Sequence, residues 1–94
     1  MRIRFTRSAA SDLDQVLTYI EARSPRGAAQ VKARIISAIS PLRRFPKIGT
    51  PTDDESTRML VATPYPYLVF YEIDEDAHEV VVLHIRHGSR DRNG

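Results

Sequence analysis

An α+β domain, with a helical hairpin packed on one face of an antiparallel sheet in the order β-α-α-β-β-β, is predicted by three features of this chain. Two apolar stripes at helical spacing occupy residues 8–42, and apolar runs of strand length crowd residues 57–86. Proline, glycine and acidic clusters punctuate the segments between them. Helices in one half and strands in the other favour helices gathered on one side of a sheet. The 94 residues make a single domain, 1–94, because two cores of half that size would bury too little surface to be stable.

Each element follows from its residues. Arg2-Ile3-Arg4-Phe5-Thr6 alternates polar and apolar, as a strand with one buried face does. Ser8 reads as an N-cap, with Asp12 and Asp14 near the positive end of the next helix. Leu13, Val16, Leu17 and Ile20 then form one amphipathic stripe. Ser24-Pro25 restarts a helix as cap and first residue, and Ala28, Val31, Ile35, Ala38 and Leu42 continue the second stripe. Pro41 should end that helix near Ser40, since it lacks an N–H and clashes with the preceding turn. The short connection makes the two helices an antiparallel hairpin. A proline- and glycine-rich loop from Phe45 to about Ser56 leads into strands at 57–62, 67–73 and 79–86. The first strand is expected beside the last.

Composition removes several chemistries. An apolar content of 41% and a charged content of 28% describe a globular chain rather than a disordered one. No cysteine is present, so thiol nucleophiles, disulfides and cysteine zinc sites are excluded. His78, His84 and His87 are too scattered to suggest a metal site, and nothing calls for a cofactor. No apolar run approaches the ~20 residues of a membrane span, and no signal peptide is evident, so a cytoplasmic location without membrane contact is the expectation.

The net charge of +2 conceals an asymmetry. Residues 1–47 hold ten Lys/Arg against three Asp/Glu, whereas residues 48–94 hold four against nine. This is either solvated charge or a basic half that meets an acidic partner. The last two strands are apolar on both faces, with Tyr67, Val69, Tyr71 and Ile73 against Leu68 and Phe70. One hairpin covers one face. Strand curvature and the 45–56 loop cover the other, or a partner polypeptide does. The chain then ends by placing Arg86, His87, Arg90 and Arg92 around a glycine, as a solvated tail or as a surface that grips something anionic.

These pieces together resemble the RelE/ParE superfamily of toxins from type II toxin–antitoxin pairs, over nearly the whole chain. The likeness rests on Phe5-Thr6, Asp12-Leu13, Tyr19-Ile20, Phe45-Pro46-Lys47-Ile48-Gly49, Arg58, Pro66-Tyr67-Leu68-Val69-Phe70-Tyr71 and His87-Gly88-Ser89-Arg90-Asp91. The closing motif is more similar to the ParE branch. That branch implies a protein that inhibits DNA gyrase by binding, with no catalytic residues of its own, and that a cognate antitoxin neutralises in a hetero-oligomer. Arg86, His87, Arg90 and Arg92 are then the target-binding candidates. The antitoxin tail is expected across the hairpin, burying Leu13, Leu17, Val31 and Ile35 at its edges. Its acidic residues would meet Arg23, Arg26, Lys32 and Arg34.

The RelE branch implies a different activity, cleavage of mRNA on the ribosome by attack of a 2′-hydroxyl on the adjacent phosphate. Arg58 and Arg90 would then stabilise the phosphate, and His87 would act as acid or base. Three departures weigh against this. Leu68 stands where such enzymes often carry arginine, Lys47 is the last lysine, and no tyrosine follows the closing strand. Arg58 also has a purely structural reading, an ion pair with Glu72 or Glu79 across the sheet, which contributes about 0–1 kcal/mol when exposed. Tyr65, Tyr67 and Tyr71 read as packing residues rather than a base-stacking platform.

Overall fold

A computed structural model describes residues 1–88. The elements are β1 (Arg2–Phe5), α1 (Arg7–Glu21), α2 (Pro25–Ile39), a 3₁₀ turn (Ser40–Arg43), β2 (Thr50–Pro51), β3 (Thr57–Val61), β4 (Tyr67–Asp74) and β5 (Glu79–His87). Two helices thus pack against a five-stranded sheet of order β1-β5-β4-β3-β2. The α+β class and the helical hairpin stand as expected. The sheet, however, is mixed: β1 runs parallel to β5, and the remaining pairs are antiparallel. The two helices bring the 3₁₀ turn back to the start of β1, where the Arg43 carbonyl accepts from the Met1 amino group at 2.8 Å.

The cap of α1 is Thr6 rather than Ser8. Its hydroxyl accepts from the Ala9 N–H at 3.0 Å and donates to the Leu83 carbonyl at 3.1 Å. Its own N–H still bonds Val82 at 3.0 Å, so one residue closes the β1–β5 ladder and opens the helix. At α2 the Ser24 hydroxyl accepts from Gly27 N–H at 2.9 Å, with Pro25 in the first turn. Pro41 converts the end of α2 into the 3₁₀ turn, and the buried Leu42 anchors it.

The core lies between hairpin and sheet, where Ile35, Leu42, Val69, Tyr71, Val80 and Val82 are fully buried. Register assigns the faces, since directly opposed residues point to one side. Ile3, Phe5, Val69, Tyr71, Val80 and Val82 face the helices. The outer face carries Val61–Leu68–Arg86 in one row and Met59–Phe70–His84 in the next. Met59, Leu68 and Phe70 are only half-buried there, and Val61 is 40% exposed. A bulge shifts β5 opposite Phe70 and Tyr71, leaving Leu83 without a register partner.

Candidate functional site

The loop between the 3₁₀ turn and β2 is held from beneath by two residues of the sheet. Tyr71 donates its hydroxyl to the Pro46 carbonyl at 2.6 Å and accepts from the Gly49 N–H at 2.9 Å. Arg58, directly opposite Tyr71 in the register, donates to the carbonyls of Lys47 at 3.1 Å and Gly49 at 2.8 Å. A side chain at position 49 would sit 2.5 Å from the Tyr71 oxygen, so glycine is needed there for close approach. Burial pushes the Tyr71 phenol up, an effect opposed by its hydrogen bond from Gly49 and by the charge of Arg58. The loop therefore closes the helix side of the sheet beyond the hairpin and leaves the outer face open. The expected Arg58 pairing with Glu72 or Glu79 is replaced by these carbonyls, and Glu79 instead meets Arg2 at 3.4 Å and Arg4 at 3.2 Å.

The basic residues that sequence placed together at the end of β5 are divided by the sheet. Arg86 opposes Leu68 on the outer face, whereas His87 opposes Tyr67 on the helix side. The His87 and Tyr67 rings meet edge to face, with centroids 5.4 Å apart. Gly88 N–H closes this end on the Pro66 carbonyl at 2.7 Å. Arg90 and Arg92 lie outside the described residues. Arg58 and His87 share a face but stand two strands apart and four residues apart along β4, roughly 16 Å at ordinary strand spacings.

The residues assigned to an antitoxin separate into two groups. Val31 is 5% exposed and Ile35 fully buried, so neither is available to a partner: the apolar stripe of α2 is spent on the sheet. Leu13 and Leu17 are half-buried against the same core. Arg26 and Lys32 are exposed on α2. Arg23 lies over the Tyr19 ring at 4.0 Å, and the Arg34 Nε bonds the Thr63 carbonyl. Sequence reasoning passed over the exposed Ile36, which with Ile3, Phe5, Ile39, Ser40 and Arg43 lines a groove of about 100 Å³ beside β1.

A larger cleft of about 470 Å³ opens where β1 ends and β5 runs on beside β4 only. Arg7, Ser8, Ser11 and Asp12 of α1 line it together with His84 and Arg86 of β5. Asp12 Oδ2 accepts from the Ile85 N–H at 3.0 Å and lies 3.5 Å from His84 Nδ1. The carboxylate thus replaces the missing neighbour strand at that amide. Among the described residues no group of three or more metal-ligating side chains comes together, and no helix is long and apolar enough to cross a membrane.

Comparison with known proteins places this architecture. Residues 3–92 match the model of the family described as ParE toxin of type II toxin-antitoxin system, parDE. The protein named "Putative toxin Y4kP" from Sinorhizobium fredii (strain NBRC 101917 / NGR234) is 41% identical over 83 residues, which cover 88% of this chain and 86% of that protein. A chain of the chromosomal ParDE toxin–antitoxin system from P. aeruginosa superposes with a TM-score of 0.81 at 23% identity, covering 93% of this chain and 95% of that one. A chain of the RelBE2 toxin–antitoxin complex from Mycobacterium tuberculosis gives 0.62 at 30% identity, covering 92% and 95%. With its family pattern matched from β1 through β5 and its fold shared with both systems, the chain belongs to the ParE toxins of type II toxin–antitoxin systems.

Proposed function

We propose that this protein inhibits growth by binding DNA gyrase, without chemistry of its own, and that a cognate antitoxin neutralises it in a hetero-oligomer. The observation that carries the reading is the commitment of Arg58. Its guanidinium is engaged by the carbonyls of Lys47 and Gly49, which supports a structural role for it rather than a catalytic one. The ParE family match supports the same branch. The target-binding surface is the outer sheet face, where Arg86 and His84 border the half-buried Leu68 and Phe70. A charged rim around apolar side chains suits protein recognition.

The antitoxin docks on the hairpin and on the outer edge of β1 beyond the 3₁₀ turn, whose Arg43 carbonyl takes the Met1 amino group at 2.8 Å. The N–H groups of Arg2 and Thr6 bond the His78 and Val82 carbonyls, which directs those of Ile3 and Phe5 outward to pair an added strand. Arg26, Lys32 and Arg43 give that side a positive field for an acidic tail. The test scores gyrase supercoiling, the DNA-damage response and mRNA integrity after induction in cells, with and without the adjacent frame co-expressed. Loss of supercoiling with intact mRNA, relieved by the neighbouring protein, is the expected result. Ribosome-dependent mRNA cleavage abolished by His87→Gln would establish the RelE-type alternative instead.

A further inference from the structure

We propose that the cleft between the first turn of α1 and the C-terminal end of β5 binds a backbone phosphodiester of a nucleic acid. Two arginines from separate elements border it: Arg7 on the helix and Arg86 on the strand. Arg7 is exposed and makes no ion pair among the described residues. The Ser8 and Ser11 hydroxyls stand on the same wall. Thr6 satisfies the N–H groups of Ala9 and Ala10, which leaves the amides of Arg7 and Ser8 as the remaining donors of the turn. Guanidinium forks, hydroxyls and oriented amides together match the oxygens of a phosphate better than the two of a carboxylate.

Asp12 is the acid lining the cleft among the described residues, and its carboxylate is turned to the Ile85 amide at 3.0 Å, beside His84. The cleft is wide and open rather than enclosing, which suits one link of a continuing strand. It also opens onto the outer sheet face through His84 and Arg86, so a bound strand would run past that face. The inference is independent of the gyrase reading, since it rests on the lining of the cleft alone.

The test is fluorescence anisotropy of the full-length chain with a labelled single-stranded oligonucleotide and with the matching duplex, over a salt series. Arg7→Glu should weaken binding by about tenfold and flatten the salt dependence by nearly one ion released. The double variant Ser8→Ala/Ser11→Ala, which keeps the net charge, should weaken binding by about threefold with its salt slope unchanged. Arg44→Glu, an exposed site after the 3₁₀ turn that meets the start of β1, should change affinity little, and circular dichroism shows whether each variant is folded. Equal losses for Arg7→Glu and Arg44→Glu, no loss in any variant, or a response to inorganic phosphate without one to either oligonucleotide would each overturn the proposal.

Discussion

Arg58 and Tyr71 face one another across β3 and β4 and grip the same loop, the arginine by the carbonyls of Lys47 and Gly49, the tyrosine by Pro46 and Gly49. The stretch 45–49 is thus a lid fastened to the sheet. Its glycine and the buried phenol form one structural unit.

Tyr71→Phe removes both hydrogen bonds while keeping the ring. It leaves the Gly49 N–H and the Pro46 carbonyl without their partner, at a cost of about 1–3 kcal/mol, readable by urea denaturation. The phenol also sets an alkaline limit. Its folded pKa is raised above the ordinary value, so its contribution is fully present below about pH 10 and lost as pH rises through the folded value. The wild type should lose stability there more steeply than Tyr71→Phe.

Gly49→Ala tests the same contact from the loop side. The added carbon would stand 2.5 Å from the tyrosine oxygen and 2.7 Å from a ring carbon, so loop and ring must part. A destabilisation of about 1–3 kcal/mol is expected. The double variant Gly49→Ala/Tyr71→Phe should cost less than the sum, because both changes disturb one contact.

Arg58→Ala separates a structural role from a catalytic one. The expected outcome is a lower Tm and faster proteolysis of the 45–56 segment, with growth inhibition falling only as far as the folded fraction does. A stable Arg58→Ala protein that had lost all toxicity would contradict the structural role.

Ile35 and Ile36 are neighbours with opposite fates. Ile35→Ala should cost about 2–5 kcal/mol, as truncation of a fully buried side chain does. Ile36→Ala, half exposed in the groove beside β1, should change stability by less than about 0.5 kcal/mol. Its effect should appear in the dissociation rate of the antitoxin, measured by surface plasmon resonance.

Acid acts on the loop before β3. Hydrogen bonds from the Ser56 hydroxyl and amide hold the Asp54 carboxyl below its usual value. The turn they form is present above the unfolded carboxyl range and is lost as pH falls through the lowered value. Amide signals of residues 54–57 should shift in that window, and Ser56→Ala should move the transition upward.

The helices, the three long strands and the proline-terminated α2 were legible because periodicity and capping act locally. The Thr50–Pro51 strand was not, since two residues carry no alternation. Thr6 outcompeted Ser8 as a cap because tertiary bonds to Val82 and Leu83 fix its place. Arg58 was visible as a cation, but its partners are main-chain carbonyls that no side-chain pattern announces. Val31 and Ile35 looked equally fit for core and for partner, because one apolar stripe serves either, and only packing against the sheet decides. Arg86 and His87 looked like one cluster, yet adjacent strand residues point to opposite faces.

The parallel pairing of Arg2–Phe5 with Glu79–Val82 joins the first strand made to the last. During translation the hairpin leaves the ribosome before the platform on which it rests exists, and β5 must enter between β1 and β4 to complete that platform. Such distant pairing is slow to form. The hairpin and β1 consequently wait with their apolar faces uncovered until the residues of β5 are made.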